Sequence, residues 1–127
     1  MDGRLFGKVA TTGLERPFML FAADPGFRGN PSLAGFWNHL TGPRYAVDFT
    51  GAAHLAFTDL VFLVPQLAGA NKAIQARLRP LVGAIDPTVA YAAERAHVLA
   101  FFDHVLKGKG RTGAGSGSFQ GVRTTGR

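Results

Sequence analysis

With 127 residues, 46% of them apolar and eleven of them Phe, the chain has material for one small domain with a core and no more. It has no Cys, which excludes a disulfide framework, a thiolate zinc site and a Cys nucleophile. The formal charge of +6 suggests nucleic acid until its placement is read: Lys107, Lys109, Arg111, Arg123 and Arg127 crowd an acid-free end, and the nine basic and eight acidic residues before it nearly cancel. The expectation is therefore no nucleic-acid partner.

No apolar run reaches the length of a membrane span, and the first residues lack the basic-then-apolar layout of a secretory signal. No transmembrane segment and a cytoplasmic location are expected.

Residues 1–14 carry three glycines and no sustained period, so they read as a loop with at most a helical turn. Phe18 to Ala23 is a short continuous apolar run between Pro17 and Asp24-Pro25-Gly26, the pattern of a buried strand. Asp24 to Ser32 is turn-rich. A helix is expected from Pro31 to Leu40, with Leu33, Phe36, Trp37 and Leu40 at helical spacing, Asn30 as its cap and Pro31 at its first position. Thr41-Gly42-Pro43 ends it, and Tyr45 to Phe49 is the second strand. Strand, helix, strand with short joints predicts parallel neighbours.

Residues 57–68 read as a buried helix with Thr58 or Asp59 as cap and Pro65 kinking or breaking it. Residues 71–82 are helical up to about Leu78. Asp86-Pro87 opens the longest helix, 87–106, with a stripe of Tyr91, Val98, Phe102 and Val105 that Phe101 and Leu106 widen. The Gly-, Ser- and Thr-rich end, 107–127, buries too little apolar surface to offset the entropy of ordering and reads as a disordered basic tail. The fold class is α/β: a partial domain over 1–106, with parallel strands and flanking helices. Two doubly buried strands want further neighbours, so the sheet is expected to be incomplete, with an edge open to self-association.

His54, in Gly51-Ala52-Ala53-His54, follows a strand end directly. Such ends are where parallel sheets place catalytic groups, although a turn histidine is an equally ordinary explanation. A general base needs an orienting carboxylate and a nucleophile. Asp2 is a candidate carboxylate, set against the plainer reading of an ordinary residue near a terminus. His39 reads as structural near a helix C-terminus, and His97 and His104, seven apart, as a solvated helix face rather than a metal pair. No metal site and no cofactor are expected. Of the three serines, Ser32 sits at a helix start and Ser116 and Ser118 lie in the tail; none lies in a G-x-S-x-G elbow.

The ordered set MDGRLFG, ERPFMLFAAD, FWNHLTG, GAAHLAFTDL and IDPTVAYAAERAHVLAFFDHVL resembles the C-terminal half of bacterial α/β-hydrolases similar to platelet-activating factor acetylhydrolase. The resemblance covers roughly residues 1–106. It implies the C-terminal part of an α/β-hydrolase fold, with Asp2 at the position of the triad acid and His54 at that of the triad base. It also implies that the Ser elbow and the oxyanion-hole donors belong upstream of Asp2. Ala56 departs from the family, where Ser is common. The implied substrates are carboxylic esters with a short acyl group, phospholipid-like esters among them. The alternative is a catalytically inactive interaction or oligomerisation module.

Overall fold

The computed structural model describes residues 5–109 and 117–126. The first apolar run forms β1 (Phe18–Ala23) and the second forms β2 (Arg44–Phe49). They pair in parallel, Phe18 opposite Arg44 and Ala23 opposite Phe49. Short α1 (Val9–Thr12) precedes β1, and α2 (Pro31–His39) makes the crossover. Asn30 caps α2 as its side-chain type predicts: Oδ1 accepts from the amides of Ser32 and Leu33. At the other end the Arg44 guanidinium donates to the carbonyls of Trp37 and Leu40.

Side-chain alternation along the strands splits the core into two layers. On one face Leu20, Ala22 and Ala46 meet Leu33, Phe36 and Trp37 of α2, with Phe27 from the connecting loop. On the other, Phe21, Ala23, Val47 and Phe49 meet Ala52, Ala56, Val61 and Ala93. Full burial of side chains such as Phe27, Phe36 and Phe49 stabilises by roughly 2–3 kcal/mol each.

After β2 comes a 3-10 turn, His54–Phe57, and then α3 (Leu60–Ala70), α4 (Lys72–Val82) and α5 (Pro87–Lys107). Asp86 caps α5, its Oδ1 accepting from the amides of Thr88 and Val89. Thr58, not Asp59, serves the start of α3: its hydroxyl accepts from Leu60 N, while Asp59 makes no side-chain cap. No helix is long and apolar enough to cross a membrane among the described residues.

Several expectations need correction. Neither Pro65 nor Pro80 ends its helix: α3 runs on to Ala70 and α4 on to Val82. Burial of Val82 and a closing bond from Gly83 N to Arg79 O hold the last turn of α4 despite the amide that Pro80 lacks. On α5 the core face is Ala90, Ala93, His97 and Phe101. Tyr91 and Phe102 are about half exposed and Leu106 more so, because the apolar stripe lies beside the contact with the sheet. His97 is thus buried, not on a solvated face.

The Gly-rich end also departs from its expected disorder. Val122–Gly126 forms β3, antiparallel to β2, so the sheet is mixed and its order is β1-β2-β3. The β-branched Val122, Thr124 and Thr125 suit a strand, and the outer edge of β2 supplies the hydrogen-bonding partners that the tail lacks alone. Residues 110–116 and 127, which the same expectation covers, lie outside the described residues.

Candidate functional site

Parallel pairing sets the carboxyl ends of β1 and β2 side by side, so Asp24 and Thr50 leave the sheet at one edge. The loop from Thr50 to Ala53 is fastened there by three separate segments. Thr50 N donates to Gly121 O, just before β3. Gly51 O accepts from the amides of Ala84 and Ile85, and Ala53 N donates to Val82 O, all at the junction of α4 and α5. From the end of β1, Asp24 N donates to Ala52 O and Asp24 Oδ2 accepts from Gly51 N, both at 3.0 Å.

Two glycines make this loop sterically feasible. Gly51 has φ +77°, and Gly83 has φ +82°, a region that favours glycine. A Cβ on Gly83 would fall 2.2 Å from Gly51 O, so the junction approaches the loop at a distance only glycine permits.

His54 is the next residue. It begins the 3-10 turn and its side chain is exposed. The turn is anchored from below: Phe57 packs against Phe49 and Phe21, and Ala56 is buried. The result is an accessible imidazole on a loop whose backbone is held on three sides. That arrangement suits a group that must meet a reacting atom in a fixed place.

The predicted acid, Asp2, lies outside the described residues, as does Ser116. Ser32 Oγ accepts from Leu5 N at 3.3 Å, and Ser118 is exposed ahead of β3. No group of three or more His, Cys, Asp or Glu side chains is arranged to hold a metal among the described residues. His39 Nδ1 lies 3.1 Å from Ala10 O, tying α2 to α1.

Two carboxylates at this edge were not singled out from the sequence. Asp48, 7% exposed, accepts from Phe27 N at 2.9 Å through Oδ1 and so fixes the loop after β1. Its signal was a charged residue inside an apolar strand, which needs a hydrogen-bonding partner. Asp24 read only as part of a turn; its bond to Gly51 spans twenty-seven positions and leaves no local pattern.

A cavity of about 590 Å³ lies between the His54 turn and α5. Phe57, Phe62, Tyr91, Val98 and Phe102 give it aromatic and aliphatic walls, and Glu94 stands among them. Burial there pushes the Glu94 carboxyl above its ordinary range. Ala56 and Phe57 of the turn line the cavity but His54 does not, so the cavity borders the turn without including the imidazole.

No protein-family model and no curated protein matches the sequence. Among solved structures, the chain is similar to a ferulic acid esterase from Streptomyces cinnamoneus, with a TM-score of 0.77 and 26% identity. The fold is esterase-like. The match covers 97% of this chain and 37% of that one, so the described sheet and helices correspond to about a third of the esterase's length. The likeness supports a hydrolase-type α/β fold for these residues.

Proposed function

We propose that this chain is the part of a serine-dependent carboxylic-ester hydrolase that carries its general base, His54. The observation behind the reading is an exposed imidazole on a clamped loop, at the carboxyl edge of parallel strands, in a fold similar to that of an esterase. A serine hydroxyl attacks the ester carbonyl while His54 takes its proton. The imidazolium then returns that proton to the leaving alcohol, and water hydrolyses the acyl-enzyme by the same path. Asp2 is assigned the acid that holds the imidazole's tautomer, on the resemblance to acetylhydrolases similar to platelet-activating factor acetylhydrolase. The nucleophile and the oxyanion donors are assigned to polypeptide beyond these 127 residues. The acyl group is short on that resemblance, with phospholipid-like esters included; the neighbour's name adds esters of ferulic acid to the substrates to be assayed.

The intact mass of the native gene product, measured before and after treatment with a fluorophosphonate, tests the assignment. A mass above that of 127 residues with one labelled serine is expected. A product of 127 residues that takes no label contradicts it.

A second reading has its own observation. Among the described residues β1 pairs on one side only, yet Leu20 to Ala23 are buried on both faces, as in an interior strand. An edge of that kind suits pairing with a second copy or another chain. Light scattering across concentration separates the readings: a strict monomer contradicts self-association.

A further inference from the structure

The loop that carries His54 is held by several backbone bonds and, among the described residues, by one side chain at its glycine: Asp24, whose Oδ2 accepts from Gly51 N at 3.0 Å. The same residue's amide donates to Ala52 O, also at 3.0 Å. The two bonds run in opposite directions between the end of β1 and the two residues after Thr50. They form a reciprocal clasp, one half of which depends on a carboxylate. Gly51 is also the residue whose carbonyl receives Ala84 and Ile85. Asp24 therefore acts on the point where the strand end and the helix junction both grip the loop.

Asp24 is exposed, so its bond to Gly51 N forms in competition with water. An exposed carboxylate adds little net stability by bonding a backbone amide, since water offers both groups good partners, so the consequence of this bond is the place it gives the amide. The bond is three residues from His54, and every link between them is short loop backbone. Losing it leaves the Gly51 amide without its acceptor while the carbonyl stays bonded to Ala84 and Ile85, and a small tilt of that peptide is passed on to the imidazole that follows.

We infer that Asp24 is a positioning residue for His54: its carboxylate fixes Gly51 and thereby the place of the imidazole. The inference rests on His54 being the general base for its catalytic consequence, but the clasp itself is testable without turnover.

The experiment compares the wild type with Asp24→Ala, Asp24→Asn and Asp24→Glu. Asn keeps an acceptor oxygen at the same reach and loses the charge; Glu keeps the charge and shifts it by one methylene. Hydrogen exchange of the Gly51 amide and the NMR signals of the His54 ring are read first. Asp24→Ala is expected to speed Gly51 exchange by about tenfold or more, to shift or broaden the His54 ring signals, and to leave amides within β1 unchanged. Asp24→Asn restores most of both, and Asp24→Glu falls between. In the native gene product, turnover of an activated ester is expected to lose kcat by about tenfold in Asp24→Ala with KM nearly unchanged, the mark of a displaced reacting group.

Unchanged Gly51 exchange and ring signals in Asp24→Ala overturn the inference. If that variant does not fold, unchanged signals in Asp24→Leu, which fills similar space without an acceptor, overturn it equally. An Asn variant as impaired as the Ala variant also overturns it, because the charge and not the bond would then be what matters. If His54→Ala keeps full turnover, the general-base reading fails, and the amide and ring signals still decide the clasp.

Discussion

Phe57, three residues after His54, packs edge-on against Phe49 at the end of β2, with ring centroids 5.2 Å apart and planes at 85°. Phe49 also meets Phe21 of β1 edge-on at 5.5 Å. The turn that presents the imidazole thus rests on the carboxyl-terminal halves of both parallel strands. Truncating Phe49 removes a fully buried ring from under the turn, and Phe49→Ala should cost about 3–5 kcal/mol in urea unfolding. Phe49→Leu should cost less than half as much, since it leaves a smaller cavity.

Gly83 is the second support. Its positive φ and the 2.2 Å approach of a Cβ to Gly51 O make Gly83→Ala a clash with backbone rather than with a movable side chain. The expected loss is at least about 2 kcal/mol, read as a shift in the urea midpoint. Gly35, on α2, would meet nothing within 4 Å, so Gly35→Ala is the matched control and should be neutral or mildly stabilising.

His97 joins α5 to the tail strand. Its Nδ1 is 2.7 Å from Ala93 O and its Nε2 is 3.0 Å from Thr124 Oγ1. A carbonyl only accepts, so Nδ1 carries the proton; in the tautomer that leaves Nε2 bare, Nε2 accepts from the Thr124 hydroxyl. Thr124→Val removes that donor and leaves a buried acceptor, at a cost of about 1–2 kcal/mol. Faster amide exchange across 122–126, with β1 unaffected, is the expected signature. Equal exchange in both proteins would mean that the bond does not hold β3 in place.

Glu94 gives a pH dependence with a definite sign. Its pKa is raised in the fold by burial, so the folded protein binds the proton more tightly than the unfolded chain does. Stability from this residue is then highest below the unfolded pKa, about 4.3, and falls as pH rises through the folded value. Glu94→Gln should raise Tm at pH 7, and the gain should vanish as pH drops below about 4. A gain that persists at low pH would point to packing instead of charge.

Local patterns made much of this fold legible. β1 was bounded to the residue by Pro17 and Asp24-Pro25, and α2 and α5 were announced by Asn30-Pro31 and Asp86-Pro87, whose caps form as side-chain chemistry requires. What local reasoning missed depends on distant partners. β3 exists because β2 has an open edge, which the composition of a Gly-rich tail does not reveal. His97 is buried because that strand and Phe119 cover it. The helical stripe on α5 is legible but its surroundings are not, since Tyr91, Val98 and Phe102 line the cavity while the smaller Ala90 and Ala93 meet the core. At the candidate site His54 was legible from its place after a strand; the bonds from Asp24 and from the Val82–Ile85 junction were not.

The proposed function stands on His54 as the general base of an ester hydrolase. Turnover of 4-nitrophenyl acetate by the native gene product, compared with its His54→Ala variant, tests it most directly. With the variant, kcat is expected to fall by at least about a thousandfold while amide exchange in β1 and β2 is unchanged. Saturable turnover that survives His54→Ala would contradict it.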